Sequence, residues 1–490
     1  MTDDLAPCDA HITENDAFIA HAIESASVPA LLLSMIHMSG DTSVLDGPIK
    51  PGMAVMGEIQ GFLDAEQQAS VRRRALDIIS DYRDRGCTLP PPPDRDTLHR
   101  MMQFLVGDEI PREYIDMAIE ETNLYGDDPR AFHWDKPVDA AKKENFSVLV
   151  IGAGQSGVLT GIRLNEAGIR YSIVEKNTGI GGTWWENDYP GARVDVANHF
   201  YSYSFEPNHD WPEHYSRQPQ LAAYFDHCAE KYRVKPHIRF ETEVIAAAFN
   251  ESTQHWDVTL RHADGSEQQE SYNAIISGVG QLNRPKLPDL EGMNTFQGPA
   301  FHSALWDHNI DLQDKCVAVV GTGASAFQIV PEISQQAAHV TVFQRSPNWM
   351  FPNERYHAKV DAGKIWSLKH LPYYSRWYRF LHFWMMADKT HPLLFTDPNW
   401  PHQERSISEA NEFTRLMFSE HMATQCGEDK ELLAKVLPSY PPMGKRTLQD
   451  NGSWLQALQR DNVELVDTAV DEIDAGGLID AKGLHHKADV

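Results

Sequence analysis

The 490-residue chain has few cysteines, and no two of them form a CxxC pair. The five present are scattered along the chain, at Cys8, Cys87, Cys228, Cys316 and Cys426. This spacing argues against a disulfide scaffold, a cysteine zinc site and a dithiol redox centre. It favours the reducing cytoplasm as the compartment.

Positive charge is also scarce, because 43 Lys and Arg residues face 70 Asp and Glu residues, for a formal net charge of −27. Such a polyanion repels phosphate backbones and anionic lipid surfaces, so neither nucleic acid nor a membrane surface is an expected partner. The most apolar run, at 28–36, is far shorter than the ~20 residues that span a bilayer. Of the 23 histidines, His485 and His486 are adjacent. On a strand they would point to opposite faces, so we expect no metal site there.

Hydrophobic residues make up 42% of the chain, enough for a buried core. Over residues 1–140 they follow helical rather than strand periodicity, with a helix predicted from Phe62 to Tyr82. The four prolines at 90–93 end that helix, and Asp94 or Asp96 is expected to cap the next. We interpret this part as a helical docking or dimerisation module.

The segment 146–157 combines an apolar strand with a glycine-rich turn. The strand over 146–151 leads directly into the GxGxxG sequence Gly152-Ala153-Gly154-Gln155-Ser156-Gly157. Such a turn lets the backbone approach a pyrophosphate at the N-terminus of the following helix. A second strand at 171–174 ends in Glu175, 18 residues beyond Gly157. An acid there accepts hydrogen bonds from both ribose hydroxyls of an unphosphorylated adenosine, so the unit predicts an FAD or NAD site.

The same arrangement recurs 169 residues later, where the strand at 316–320 leads into Gly321-Thr322-Gly323-Ala324-Ser325-Ala326. Alanine replaces the third glycine. The second strand, at 339–343, reaches Gln344 at the position equivalent to Glu175, and Arg345 follows. A neutral amide with an arginine accepts the 2′-phosphate that an acid would repel. The second unit therefore predicts an NADPH site.

Two such units in one chain predict an α/β protein with two Rossmann-like domains and a flavin reduced by NADPH. A disulfide reductase is excluded because the chain has no redox cysteine pair. The expected layout is a helical N-terminal extension (1–140), the first part of an FAD-binding domain (146–290), a linker (291–310) and an NADPH-binding domain with a helical insert (311–487). The aromatic-rich stretch 366–384 is interpreted as that packed insert or as a membrane-surface helix.

Three further motifs carry a family resemblance. The linker contains a fingerprint with Phe296, Gly298, His302, Trp306 and Asp307 at the spacing FxGxxxHxxxWD. The loop 181–195 and the segment Met443-Gly444-Lys445-Arg446 also match. Over about 146–490 the chain resembles the type I Baeyer–Villiger monooxygenases, which are class B flavoprotein monooxygenases. Its helical extension resembles that of 4-hydroxyacetophenone monooxygenases, which act on aryl ketones.

The resemblance implies an enzyme that uses FAD and NADPH to insert one oxygen atom of O₂ beside a ketone carbonyl. The implied route to the ester runs through a flavin C4a-peroxide. Arg446 is the implied active-site arginine, since a guanidinium stays protonated while it stabilises negative oxygen. Asp195 is expected to accept a hydrogen bond from Arg446, and Lys445 to help Arg345 hold the 2′-phosphate. His302 is expected to serve a structural or hinge role.

The motifs also assign the remaining cofactor contacts. On the FAD side they are Gly152, Gly154, Ser156, Gly157, Glu175, Gly182, Thr183, Trp184, Trp185, Glu186, Asp195, Tyr201 and Val244. On the NADPH side they are Arg193, Gly321, Thr322, Gly323, Ala324, Ser325, Ala326, Arg345, Ser346, Lys445 and Arg446.

The chain departs from the family pattern at its end. After a segment like 484–490 the family continues with an apolar strand that completes the FAD-binding sheet, whereas this chain stops at Val490. We therefore expect the C-terminal part of the FAD domain to be absent, and FAD binding and turnover by these 490 residues to be weak.

Two other functions remain open on the sequence alone. A related flavin monooxygenase would oxygenate nitrogen or sulfur instead of a ketone. A catalytically silent dinucleotide-binding scaffold would use the N-terminal helices to hold a partner. Either monooxygenase, the ketone-oxidising or the nitrogen- or sulfur-oxygenating one, would act on a small molecule. The helical extension favours a homodimer.

Overall fold

The structure is a computed structural model that describes residues 11–55, 57–124 and 128–490. Helices and strands alternate from residue 147 onward, whereas the described residues before it contain helices and no strand. The α-helices are α1 (Asp16–Ala22), α2 (Val28–Ser39), α3 (Ala65–Asp84), α4 (Arg95–Val106), α5 (Ile115–Thr122), α6 (Ala140–Asn145), α7 (Gln155–Ala167), α8 (Thr183–Glu186), α9 (Gln218–Lys231), α10 (Ala324–Ile333), α11 (Ala362–His370), α12 (Tyr374–Met386), α13 (Glu409–Cys426), α14 (Lys430–Val436) and α15 (Ser453–Leu458).

The strands form five separate small sheets within the described residues. They are β1 (Ser147–Ile151), β2 (Arg170–Val174), β3 (Ile238–Arg239), β4 (Thr242–Asn250), β5 (His255–His262), β6 (Glu267–Tyr272), β7 (Ala274–Ser277), β8 (Cys316–Val320), β9 (His339–Phe343), β10 (Met350–Pro352), β11 (Leu448–Asp450), β12 (Val463–Val466), β13 (Val470–Ile473), β14 (Gly477–Asp480) and β15 (His485–Lys487).

The chain folds into two compact units, each built from several segments. Unit 1 takes the described residues of Met1–Pro129, Val194–Ser216 and Ser346–Gln459, and unit 2 takes those of Arg130–Arg193, Arg217–Arg345 and Arg460–Val490. The four consecutive segments expected from the sequence describe a different division, and they stay a prediction.

Unit 1 is built on a helical core that joins distant parts of the chain. Helix α2 is buried along its length, and α12 packs against α2, α4, α5 and α11. The aromatic side chains of α12, including Trp377 and Phe380, lie in the same core as those of the N-terminal helices. The aromatic-rich stretch is therefore packed inside unit 1 rather than exposed as a membrane-surface helix. None of the helices in the described ranges has both the length and the hydropathy to cross a membrane.

A buried ion pair is formed by an arginine in the middle of α12. The guanidinium of Arg379 donates from Nη2 to Glu121 at 2.7 Å, and from Nη1 to the carbonyl of Phe200 at 2.9 Å. A buried charge needs such partners because it has left its water behind. Through these bonds α12 connects α5 to the segment 194–216.

The capping residues set two helix boundaries in unit 1. Helix α3 begins at Ala65, not at Phe62 as predicted, because the Asp64 side chain accepts a hydrogen bond from the backbone N–H of Gln67 and the Gln67 side chain caps Asp64 in return. Phe62 is exposed and has a positive φ of 54°, outside the helix. Of the two aspartates proposed for the next helix, Asp94 is the cap.

Unit 2 carries the α/β pattern predicted from the sequence. One parallel sheet has the strand order β3-β2-β1-β7, and another has the order β12-β9-β8. In the first, Ile151 pairs with Val174, and in the second, Val320 pairs with Phe343, so the carboxyl ends of each strand pair lie at one sheet edge. The antiparallel sheets β4-β5-β6 and β13-β14-β15 complete the unit.

A core substitution in α2 tests the helical core of unit 1. Leu33 is fully buried (0% exposed), whereas Leu416 in α13 is 56% exposed. Leu33→Ala removes the same atoms as Leu416→Ala, but only the first leaves a cavity. We expect Leu33→Ala to lower the free energy of unfolding by about 2–5 kcal/mol and Leu416→Ala to change it by less than about 0.5 kcal/mol. Urea denaturation followed by circular dichroism measures both, and equal losses would contradict the assigned core.

Candidate active site

The first glycine-rich turn is too tight for side chains at two positions. Gly152 follows β1 with a φ of +97°, and a Cβ there would lie 2.8 Å from the carbonyl oxygen of Gly278. A Cβ on Gly157 would lie only 1.9 Å from the carbonyl oxygen of Gly152. Helix α7 therefore starts directly against the strand end, with Gly154 as its N-cap. This leaves backbone N–H groups at the helix N-terminus for an anionic group.

Glu175 holds this turn in addition to the ribose role predicted for it. Its buried carboxylate accepts a hydrogen bond from the backbone N–H of Ala153 at 2.8 Å through Oε2, and one from that of Asn177 at 2.9 Å through Oε1. The N–H of Gly152 also donates to the carbonyl of Val174 at 2.8 Å. The end of β2 and the turn after β1 are thus bonded into one edge.

An open cavity of about 890 Å³ lies at this edge. Gly152, Glu175 and Val244, all predicted as FAD contacts, line it. Sequence reasoning missed the remaining lining residues, which are Ile151, Val174, Lys176, Thr242, Glu243, Val279, Gly280, Gln281, Asn283 and Arg284. The strand β7 could have indicated the stretch 279–284. It pairs in parallel with β1, so the loop that follows it lies at the same sheet edge.

The loop that contains the second predicted FAD segment packs on the glycine turn. The N–H of Gly181 donates to the carbonyl of Ala153 at 3.2 Å, and a Cβ on Gly182 would lie 3.0 Å from the Cα of Gly154. The short helix α8 follows and contains Thr183, Trp184, Trp185 and Glu186. Its Glu186 accepts from Lys176 at 2.8 Å. The structure therefore brings this predicted segment together with the first turn.

The second turn has the same backbone pattern with more space around it. Gly321 follows β8 with a φ of +106°, and its N–H donates to the carbonyl of Phe343 at 2.9 Å. Gly323 is the N-cap of α10, which contains Ala324, Ser325 and Ala326. No atom lies within 4 Å of a Cβ built on either glycine, so only Gly321 needs to be glycine, because of its positive φ.

The pair predicted to read the 2′-phosphate is divided between interior and surface. Gln344 is buried beyond the end of β9, and its N–H donates to the carbonyl of Val466 at 2.8 Å. Arg345 is exposed and forms no ion pair with any described residue. The position equivalent to Glu175 thus holds a neutral amide, and the positive charge of Arg345 lies at the surface next to it.

Arg193, assigned to the NADPH side, is held against α10 through its backbone. Its N–H donates to the side-chain oxygen of Gln328 at 3.3 Å, and its carbonyl accepts from the Gln328 amide at 3.0 Å. The hydroxyl of Tyr189 also donates to Gln328 at 3.0 Å. Gln328 had no sequence signal, since a lone glutamine in a helix resembles any exposed polar residue.

Arg446 and Asp195 meet within unit 1, as the resemblance implied. Arg446 donates to one oxygen, Oδ2 of Asp195, from Nη2 at 2.7 Å and from Nε at 3.1 Å. The Arg446 side chain is 60% exposed. The neighbouring Lys445 donates to the hydroxyl of Ser346 at 3.0 Å and lies 4.4 Å from the ring centre of Tyr440. Tyr201 lies half-buried in the segment 194–216 of the same unit.

Three residues of the linker fingerprint contact residues only a few positions away in the sequence. The N–H of Ala304 donates to Nδ1 of His302 at 3.0 Å, so His302 caps a short 3₁₀ turn, and Trp306 packs edge-on against Phe301. The structural or hinge role expected of His302 stays a prediction. Asp307 accepts from the N–H of Asn309 at 2.9 Å and caps the next turn.

The other two fingerprint residues pack against the last strands of unit 2. Phe296 packs on the apolar cluster that contains Val470 and Ala488. A Cβ on Gly298 would lie 2.2 Å from the carbonyl oxygen of Asp489. The glycine is therefore needed for close backbone approach.

Comparison with known proteins identifies the family. The family model FMO-like, described as flavin-binding monooxygenase-like, matches residues 145–366. The uncharacterized monooxygenase y4iD of Sinorhizobium fredii is 35% identical over 473 residues, which cover 96% of this chain and 70% of that protein. A Baeyer–Villiger monooxygenase of Streptomyces coelicolor is 34% identical over 71% of this chain, which spans 63% of that relative's length.

Solved structures give the same result. A cyclohexanone monooxygenase from Rhodococcus sp. Phi1, bound to NADP⁺, superposes with a TM-score of 0.59 at 27% identity and 70% coverage of each chain. OTEMO in complex with FAD and NADP superposes with a TM-score of 0.60 at 27% identity, over 71% of this chain and 70% of OTEMO. The chain therefore belongs to the flavin-binding monooxygenase-like family and is related within it to the Baeyer–Villiger monooxygenases.

Proposed function

We propose that the protein is an FAD- and NADPH-dependent Baeyer–Villiger monooxygenase that converts a ketone to an ester with one oxygen atom of O₂. The observation that carries the proposal is the Arg446–Asp195 pair, because oxygen insertion beside a carbonyl builds negative charge on oxygen that a fixed guanidinium can stabilise. FAD, once reduced by NADPH, supplies the activation of O₂. The residues of the chain bind, orient and provide charge.

The first turn and its cavity fit FAD. The cradle formed by Gly152 and Gly157 is one that a Cβ would fill, so backbone can approach a pyrophosphate. Glu175 lines the cavity with two carboxylate oxygens, each of which has one bond from a backbone N–H and retains a further lone pair for a ribose hydroxyl. Val244 offers an apolar contact for the adenine end.

The second turn fits NADPH. Its open surroundings leave room for a pyrophosphate at the N-terminus of α10. The exposed Arg345, which has no acid as partner among the described residues, suits a 2′-phosphate, and Lys445 and Ser346 are proposed as further contacts. Arg193 is proposed to act through the loop that its backbone anchors to Gln328.

The hydrogen bonds to Asp195 determine what Arg446 can do. Two N–H groups, on Nε and Nη2, are used by one carboxylate oxygen, so the plane of the guanidinium is fixed. The other N–H groups remain available to an oxygen that gains negative charge. An arginine serves here because it keeps its proton throughout.

Three finer points belong to the same proposal. An aryl ketone is the proposed substrate, because the helical extension resembles that of 4-hydroxyacetophenone monooxygenases. A homodimer formed through the N-terminal helices is proposed on the same resemblance. A cytoplasmic location is proposed because the cysteines are few and scattered.

Product analysis tests the activity. The protein, supplied with FAD, NADPH and O₂, is given acetophenone in one reaction and methyl phenyl sulfide in another. We expect phenyl acetate from the ketone, with one oxygen atom that comes from ¹⁸O₂. Sulfoxide without ester would instead identify a sulfur-oxygenating enzyme, and no product with either compound would favour a binding scaffold.

The glycine cradle predicts a matched pair of variants. Gly157→Ala places a methyl group against the Gly152 carbonyl, whereas Gly323→Ala meets open space at a φ of −70°. We expect Gly157→Ala to retain less than about a tenth of the wild-type FAD content, because displacing the turn removes the pyrophosphate contacts. Gly323→Ala is expected to keep its FAD. Flavin absorbance per mole of protein measures both, and wild-type FAD content in Gly157→Ala would contradict the assignment.

Arg345 predicts coenzyme preference. Arg345→Gln should raise the KM for NADPH about 10–100-fold, through loss of a charge-assisted bond to the 2′-phosphate, and leave the KM for NADH unchanged. Arg460 supplies the control, since it is exposed and precedes β12, at the opposite end of the strands from Arg345. The rate of anaerobic flavin reduction, measured at a series of NADPH and NADH concentrations, gives the KM for each coenzyme. A parallel change for NADPH and NADH would refute a phosphate contact.

Arg446 predicts a separation of the two halves of the cycle. In Arg446→Ala, flavin reduction by NADPH should stay within about two-fold of wild type, while ester formation falls about 10²–10³-fold because the charge on oxygen loses its stabilisation. Asp195→Asn should cause a smaller loss, since Arg446 is present but less firmly held. Stopped-flow reduction and ester quantification check both. Ester formation at the wild-type rate in Arg446→Ala would overturn the assigned role.

A further inference from the structure

The loop that carries Arg446 lies between α14 and β11 and is anchored at both ends inside unit 1. At its far end the N–H of Leu448 donates to the backbone carbonyl of Trp349 at 2.9 Å. At its near end the Nε1–H of the same Trp349 donates to the carbonyl of Tyr440 at 3.0 Å. Arg446 itself is exposed, so these anchors, together with its bond to Asp195, determine where its guanidinium lies.

A further anchor comes from Asn411, in the first turn of α13. Asn411 is fully buried (0% exposed), and its amide is fully hydrogen-bonded. Its Nδ2 donates to the carbonyl of Leu393 at 3.1 Å and to that of Pro442 at 3.0 Å. Its Oδ1 accepts from the N–H of Ile407 at 3.3 Å. The amide therefore joins α13 to two other segments, and one of them is the loop of Arg446, at a point four residues before the arginine.

The Pro442 carbonyl belongs to a tight turn with an unusual backbone. Met443, the next residue, has a φ of 65°, in the left-handed region that favours glycine. Proline followed by a positive φ is the pattern of a type II turn, whereas the commoner type I turn has a negative φ at this position. The two forms differ by a rotation of the planar peptide unit between Pro442 and Met443. A strained backbone of this kind persists where its surroundings hold it.

The bond from Asn411 fixes that peptide unit. The Pro442 carbonyl and the Met443 N–H lie in one plane, so a donor aimed at the carbonyl also sets the φ of Met443. The Met443 side chain then reaches past Arg446, and its Sδ accepts from the hydroxyl of Thr447 at 3.6 Å. The form of the turn is thus linked to the residue directly after Arg446.

We propose that Asn411 is a positioning residue for Arg446. Its amide selects the left-handed form of the turn at Pro442 and Met443. This turn holds the loop in the position from which Arg446 reaches Asp195. The inference rests on the proposed function, because it concerns the orientation of the arginine that oxygen insertion uses. Without the amide both forms of the turn become accessible, and the guanidinium loses its fixed position.

The amount of ester formed per NADPH oxidised, with acetophenone as the ketone, tests the proposal. Unfolded protein oxidises no NADPH, so a loss of folded protein alone does not change this ratio. Leucine branches at the same carbon as asparagine but has no polar atoms in its side chain. In Asn411→Leu we expect the ratio to fall about 10-fold, because Arg446 is misplaced. Flavin reduction at saturating NADPH should stay within about two-fold of the wild-type rate, since that step does not need Arg446.

Asn462→Leu is the matched control. The Asn462 amide also donates to two carbonyls, those of Ser334 and Ala337, each at 3.0 Å. It lies in unit 2, beside the C-terminal end of α10 and away from the second glycine turn. The control variant therefore loses the same two kinds of bond, and we expect it to keep the wild-type ratio of ester to NADPH.

Two further measurements examine the turn directly. Met443→Pro leaves Asn411 in place, but proline holds φ at about −65° and excludes the observed turn. The same fall in the ratio is expected. A crystal structure of cofactor-free Asn411→Leu gives a readout that does not depend on activity. In it we expect the peptide unit between Pro442 and Met443 to be rotated, with a negative φ at Met443.

The outcomes separate this inference from the proposed function. A wild-type protein that forms no ester contradicts the proposed function, and the positioning role with it. If the wild type forms ester, an unchanged ratio in Asn411→Leu overturns the positioning role alone, as does an unchanged φ at Met443 in the crystal. An equal fall in Asn462→Leu also overturns it, because the loss would then follow from any buried amide. If Asn411→Leu does not fold, Met443→Pro decides, and a wild-type ratio in that variant overturns the proposal.

Discussion

Close approach of backbone to backbone at the first glycine turn is the constraint on which the dinucleotide-binding half of this protein depends. A side chain at Gly157 would lie 1.9 Å from the Gly152 carbonyl, so helix α7 can start against strand β1 only because none is there. The Glu175 carboxylate bonds to the same turn through the N–H of Ala153. The loop at Gly181 and Gly182 then packs on top. One steric requirement thus arranges a turn, a strand end and a loop around a single cavity.

The two dinucleotide turns share a backbone design and differ in charge. In both, the N–H of the first glycine bonds to the carbonyl at the end of the neighbouring strand, at 2.8 Å for Gly152 and 2.9 Å for Gly321. At the following position the first unit has a buried acid, and the second has a buried amide followed by an exposed arginine. The fold therefore supplies the backbone turn twice, and the proposed difference in bound nucleotide depends on one or two side chains.

Unit 1 combines an apolar core with charged side chains that form specific ion pairs. Arg379 and Glu121 form a buried pair and satisfy each other, and Asp195 orients Arg446 at a more exposed place. Lys364 differs from these residues, because its buried Nζ has no hydrogen-bond partner among the described residues.

The sequence by itself determined the local features of this protein. The strands at 316–320 and 339–343 and both glycine turns lie where the sequence predicted them, because apolar runs, positive φ values and steric contact act over a few residues. Family motifs added the Arg446–Asp195 contact. Only the tertiary structure decided that α12 completes the core of the N-terminal helices, that Gln328 anchors the loop of Arg193, and that His214 and His382 line one cavity. Those contacts join residues more than a hundred positions apart, and no local pattern encodes which distant surface an apolar or polar face will meet.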